Sequence, residues 1–192
     1  MVGAKSCSTP SSTTIKLSTD DGDILDNPTK YRSLVGALKY ITCTRPEIRF
    51  EVNPVCQFMH QPTITHMVAA KRILRYIKGT LHHGLLFSKG LTTLQVYNDV
   101  DWDGSPNDRR STSGLCIFFG HNPISWSAKN QAIVARSSTE VEYRALYQTS
   151  AEVIGYVNFS EIYIFFFQHY PPNNVTTLAV LILPPTLFFT VK

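Results

Sequence analysis

Residues 97–104 read Tyr97-Asn98-Asp99-Val100-Asp101-Trp102-Asp103-Gly104, with carboxylates at alternate positions. In an extended chain alternate side chains share one face, so this spacing can offer several oxygen ligands to a divalent cation. Three readings fit. One is a calcium loop, since Asp99, Asp101, Asp103 and Gly104 match the first, third, fifth and sixth positions of an EF-hand. That match stops where the loop needs a bidentate Glu, because Arg110 stands there, and the residues before Asp99 have a strand pattern where an EF-hand has a helix. Another is an acidic turn without a ligand. The third is a nuclease strand, in which carboxylates from separate elements converge on two metal ions about 4 Å apart. Glu142, in the first turn of a later helix, is the converging candidate for Asp99. An acid there also suits the helix dipole, but Glu140 can fill that role opposite Ser137, with capping-box spacing.

Basic residues form the second group that could do chemistry. Lys71, Arg72, Arg75 and Lys78 recur at helical spacing, and Arg109 and Arg110 follow the acidic stretch. Between Gln61 and Arg136, nine Lys or Arg stand against four Asp, in a chain of formal net charge +4. This balance suits a polyanionic partner; a solvated basic face gives the same pattern.

The elements that must position these residues follow from patterning. Residues 1–26 are rich in Ser, Thr and Asp and are expected to be a flexible lead-in. Asn27-Pro28 starts a helix to about Ile41, with Leu34, Val35, Leu38 and Ile41 on one face. Arg45-Pro46 starts a second, with Ile48, Val52, Val55, Cys56 and Met59 at helical spacing. Thr65 is expected to cap a third, running to Lys78 and ended by Gly79, with Ala70, Ile73, Leu74 and Ile77 as its apolar stripe. After Gly84 the period changes. Leu94–Asp101, Ser113–Phe119 and Ile124–Val134 read as strands, the last two joined at Gly120-His121-Asn122-Pro123. A helix follows from Ser137 to about Ile154. Trp102 and Trp126 are read as core.

The chain has 192 residues, 43% hydrophobic and 17% charged. It can bury a core, and the low charge share reflects the tail: Glu161 and Lys192 are the charged residues from Tyr156 onward. Cys7, Cys43, Cys56 and Cys116 show no metal or disulfide spacing, so no disulfide partner is expected. No signal-peptide pattern opens the chain. The apolar run Leu178–Phe189 is short and broken by Pro184-Pro185, so no membrane span is expected. These features point to an intracellular protein of the cytoplasm or nucleus.

Several segments together resemble one family. Tyr31-Arg32-Ser33-Leu34-Val35-Gly36-Ala37-Leu38-Lys39-Tyr40, Thr44-Arg45-Pro46-Glu47-Ile48 and the segment from Lys71 to Thr80 are similar to the end of copia-type retrotransposon reverse transcriptases. Asp99-Val100-Asp101-Trp102, the segments 108–114 and Ile124-Ser125-Trp126-Ser127, and the segment from Ser137 to Leu146 follow in the order of that family's ribonuclease H domain. The likeness runs from about Ser8 to Ile154. It implies an α/β fold: a helical reverse-transcriptase segment (27–84), then a partial ribonuclease H-like mixed sheet with helices (85–155). It also implies hydrolysis of the RNA strand of an RNA–DNA hybrid with Mg²⁺ or Mn²⁺. The family's first catalytic Asp falls on Asp99 and its Glu on Glu142, both metal ligands. Asp101 belongs to the same motif, and Asp103 stands where the family has a small residue. The basic positions Lys71, Arg72, Arg75, Lys78, Arg109 and Arg110 would track nucleic acid.

The resemblance also implies departures. The family's third catalytic Asp has its nearest counterpart in Asn173, and an amide is a poor substitute for an anionic ligand. The polymerase Asp pair has no counterpart, Asp20-Asp21 being read as linker. The apolar tail (156–192) keeps no period for long, as if frameshifted near Gly155. The expectation is a Pol fragment with an incomplete site and sheet, inactive or nearly so, remaining either a nucleic-acid binder without catalysis or a translated fossil.

Overall fold

The computed structural model describes residues 3–11, 17–91, 93–169 and 188–189, with backbone alone for 159–169 and 188–189. The chain is mixed α/β and divides into two units. The first comprises Met1–Leu85, Asp101–Ser113 and Ser127–Ala135, the second Leu86–Val100, Gly114–Trp126 and Arg136–Lys192.

The first unit is built on three helices. Helix α1 (Pro28–Ile41) starts as expected: Pro28 fills its first turn and the Asn27 side chain accepts from the Thr29 amide at 3.1 Å. A 3-10 turn (Pro46–Ile48) leads into α2 (Arg49–Gln57), which ends before Met59. Helix α3 (Ile64–Gly79) is capped by Thr63, not Thr65. His66 takes the place of the usual Glu or Gln in a reciprocal capping box, a variant the residue types alone do not announce. Tyr31, Val35, Leu38, Ile48, Val52, Val55, Ala70 and Ile73 form the core. Leu34, Ile41, Leu74 and Ile77 lie at its margin. Tyr31 is fully buried and donates to the Val55 carbonyl at 2.7 Å. Burial pushes its phenol pKa up.

The segment read as a lead-in is tied to this unit. Leu17 and Leu25 pack on the core, and Ile24 bridges Thr63. The Leu25 amide donates to the Pro62 carbonyl at 2.9 Å.

The second unit centres on a sheet. Strands β1 (Leu94–Asp101), β2 (Thr112–Phe119) and β3 (Asn122–Asn130) pair in the order β3-β2-β1. Gly120, at φ 58, turns the chain between β2 and β3. A Cβ there would stand 2.2 Å from the Leu91 carbonyl oxygen, so only glycine fits. Strand β3 is shorter than expected, and Ile133 and Val134 are exposed beyond it. Helix α4 (Ser138–His169) lays Val141, Ala145, Thr149 and Val153 along one buried stripe. Leu94, Val96, Leu115, Ile117 and Val153 make this unit's core.

One finding corrects the expected end of the last helix, and another adds a short strand. Helix α4 continues well past Ile154, and β4 (Phe188–Phe189) adds a fourth strand, parallel to β1, with Gln95 opposite Phe188 and Val96 opposite Phe189. Residues 156–169 contain no Gly or Pro. Nothing local stops the helix there, even without an amphipathic period.

Candidate functional site

Strand β1 places Asp99. Leu94 and Val96 are buried, which fixes the pleat, and the alternate positions Gln95, Tyr97, Asp99 and Asp101 are exposed. The Asp99 carboxylate accepts from the Val100 amide at 2.9 Å. Tyr97 meets Phe118 edge to face, with ring centroids 5.7 Å apart. Trp102 follows the strand and is 50% exposed, not core as expected.

Helix α4 places Glu142. Val141 is fully buried and sets the helix rotation, leaving its neighbour Glu142 exposed. Glu140 performs the capping work. It accepts from the Arg136 amide at 2.9 Å and from Arg144 at 2.7 Å, while its own amide donates to the Ser137 hydroxyl at 3.2 Å. The Arg136 amide and the Arg144 guanidinium hold its carboxyl below the usual carboxylate range. Asp99 and Glu142 both lie in the second unit and both reach solvent.

Among the described residues no group of three or more His, Cys, Asp or Glu could hold a metal ion. Asp99 and Glu142 alone fall short of the donor set that a two-metal centre needs. Asn173, the third position, lies outside the described residues. A calcium loop does not fit either. Asp99 and Asp101 sit in a strand, and the Asp103 carboxylate is engaged by Arg109, Nε donating to both oxygens and Nη2 to Oδ2.

Among the described residues, Arg110, Arg72, Arg75 and Lys78 are likewise bonded within the chain. Arg110 pairs with Asp108 at 3.2 Å. Asp108 is held below its ordinary pKa by the Ser105 hydroxyl and by the Arg110 amide and guanidinium. On α3, Arg72 donates to the Thr9 hydroxyl at 2.9 Å, Arg75 to the Lys5 carbonyl at 2.7 Å and Lys78 to the Ala4 carbonyl at 2.9 Å. Lys71 is exposed beside them. Residues 4–9 thus run along the basic face, an arrangement without a sequence signature because two of the three acceptors are backbone oxygens. The four cysteines are free. No helix among the described residues is long and apolar enough to cross a membrane.

The chain is 49% identical over 154 residues, 80% of its length, to the retrovirus-related Pol polyprotein from transposon RE1 of Arabidopsis thaliana. It spans about a tenth of that polyprotein, 10%. An uncharacterized mitochondrial protein of Arabidopsis thaliana is also 49% identical over 80% of this chain, which covers 64% of it. The secreted RxLR effector protein 161 of Plasmopara viticola is 42% identical over 65% of this chain, which covers 89% of it. No family model matches, and no solved structure matches.

Proposed function

Because the chain belongs to the retrovirus-related Pol polyproteins of copia-type retrotransposons, we propose that it is the stretch joining the end of reverse transcriptase to the ribonuclease H domain. Its substrate class is the RNA strand of an RNA–DNA hybrid made inside the cell. Asp99 and Glu142 are the carboxylates directed at the cut, with Mg²⁺ or Mn²⁺ as the family's cofactor. Lys71, Arg72, Arg75, Lys78, Arg109 and Arg110 are the phosphate contacts.

The observation that carries this reading is a division of labour at the start of α4. Glu140 caps the helix, and Glu142, one residue past the buried Val141, stands exposed with no structural task of that kind. Strand β1 offers Asp99 at an exposed position of the same unit. With an amide at the third position, Asn173, one anionic donor is missing, and hydrolysis is proposed to be at or near background.

The test is cleavage of a labelled RNA–DNA hybrid by the purified chain in Mg²⁺ or Mn²⁺, beside Asp99→Asn, with binding followed in parallel. The expected result is binding without cleavage above the variant. Cleavage that disappears in Asp99→Asn would support the site and overturn the inference of near-inactivity. A folded chain that neither binds nor cleaves the hybrid would overturn the reading.

A further inference from the structure

We infer that residues 4–9 are a built-in competitor for nucleic-acid phosphates on the basic face of α3, so that this face exists in a covered and an uncovered form. The inference rests on the nucleic-acid partner proposed above and goes beyond it by assigning a switch to the site.

The cover is seated by specific contacts. The Cys7 amide donates to the Arg75 carbonyl at 3.3 Å and the Cys7 thiol to the Arg72 carbonyl at 3.3 Å. Gly79 allows the approach: a Cβ there would stand 3.0 Å from the Ser6 Cβ. Seated in this way, the segment offers Ala4 O, Lys5 O and Thr9 Oγ1 to Lys78, Arg75 and Arg72.

These acceptors are all neutral. Residues 4–9, Ala4-Lys5-Ser6-Cys7-Ser8-Thr9, contain no acid and add a cation, and α3 contains no acid either. The cover therefore satisfies hydrogen bonds but itself brings no negative charge to the face. It does not satisfy every donor, because Arg72 Nε is buried without a partner among the described residues. A phosphate both accepts such bonds and neutralises the charge, with release of counterions. Spacing agrees. From Arg72 to Lys78 is about 9 Å along the axis at roughly 1.5 Å per residue, a span over which a nucleic-acid backbone presents more than one phosphate. Phosphates of one strand thus fall within reach of donors now held by three neutral oxygens. A polyanion thus displaces the segment, and the population of the covered form lowers the apparent affinity.

The test locks the cover reversibly. The double variant Ser6→Cys, Gly79→Cys brings two thiols to a separation that a small relaxation converts to disulfide geometry. Binding of a labelled 20-base-pair RNA–DNA hybrid is measured for the oxidised and the reduced full chain, with the wild-type chain treated identically as control. The reduced form should bind at least about tenfold tighter than the oxidised form, with a salt dependence steeper by about 0.9 in logarithmic slope per phosphate gained. Thr9→Val, which removes the Arg72 acceptor and leaves α3 intact, should also bind tighter than wild type. Replacing Arg72, Arg75 and Lys78 together by Gln should remove the difference. Equal binding by oxidised and reduced forms, with Thr9→Val unchanged, overturns the switch while leaving the nucleic-acid partner standing. No binding in any form overturns both.

Discussion

The guanidinium of Arg109 straddles the carboxylate of Asp103, with Nε 3.0 Å from Oδ1 and Nη2 2.8 Å from Oδ2. Both residues hold left-handed backbone, at φ 55 and φ 56, so the pair closes a loop made of two conformations that side chains ordinarily disfavour. The carboxylate offsets part of the backbone cost through Arg109, and the Asp103 amide, present whatever the side chain, donates to the Ser111 hydroxyl at 3.2 Å. Asp103→Gly removes the carboxylate but relieves the backbone, whereas Asp103→Ala removes the carboxylate and keeps a Cβ. Asp103→Gly should therefore be more stable than Asp103→Ala by roughly 1 kcal/mol, read as the difference in urea midpoint. The reverse order would show that the left-handed turn is not what Asp103 stabilises.

A second guanidinium holds a helix end. Arg45, 6% exposed, donates to the Thr80 carbonyl at 3.0 Å and to the Thr80 hydroxyl at 2.6 Å, and pairs with Glu47. It serves acceptors that the last turn of α3 would otherwise leave open. Arg45→Ala leaves those half-buried acceptors without their charged donor and Glu47 without its partner. A loss of about 2 kcal/mol is expected, from hydrogen bonds to a charged donor, against about 1 kcal/mol for Thr80→Val, which keeps the carbonyl contact. Equilibrium urea unfolding measures both. Equal losses would locate the energy in the hydroxyl bond alone.

His66 makes the first unit sensitive to acid. It is fully buried and stacked on Phe58 at 3.9 Å. The Thr63 amide can only donate, so Nδ1 accepts from it at 3.0 Å, and Nε2–H then donates to the Ser18 carbonyl at 3.0 Å. The ring is therefore the neutral tautomer. Burial lowers its pKa from 6.5, partly opposed by the Ser18 carbonyl and Asp21. The unfolded chain takes up the proton first. This contribution to stability is fully present above pH 6.5 and is lost as the pH falls from there toward the depressed folded value. The urea midpoint should fall between pH 7 and pH 5. His66→Gln, whose amide oxygen can accept from the Thr63 amide in the same box, should show a flatter profile. An equally steep profile in His66→Gln would assign the acid sensitivity to other groups.

What could be read from residue types follows a physical line. Asn27-Pro28 marks the start of α1 because cap and first-turn residue are both side-chain signals. Leu94 and Val96 mark the inner face of β1 because alternation is geometric. Where a backbone group or an unusual side chain does the work, residue types are silent. Thr63 caps α3 through His66, and residues 4–9 cover α3 largely through carbonyl oxygens. Ile133 and Val134 have strand-forming side chains but lie beyond the end of β3, at Asn130. The tail lacks periodicity, so its helix rests on local propensity and only a breaker would mark its end. For the site, patterning reached the outward face of Asp99 and offered Glu142 as its converging partner beside other readings, while the catalytic assignment of the two came from family resemblance.

The roles of the three acids Asp99, Glu140 and Glu142 can be separated by stability alone. Glu140 is bonded to the Arg136 amide and to Arg144, and both interactions lower its pKa. Its stabilising effect is present above the ordinary carboxylate pKa of 4.5 and is lost as pH falls through the lower folded value. Glu140→Gln should therefore lower the thermal midpoint at pH 7 and narrow its gap from wild type as the pH drops toward 3. Asp99→Asn and Glu142→Gln remove exposed carboxylates and should shift stability by no more than about 0.5 kcal/mol. If either destabilises the chain as much as Glu140→Gln does, that residue is structural and leaves the candidate site. If both are silent in stability, any loss of hybrid binding or residual cleavage in them reports on the site and not on the fold, which is the condition under which Asp99→Asn can serve as the control for activity.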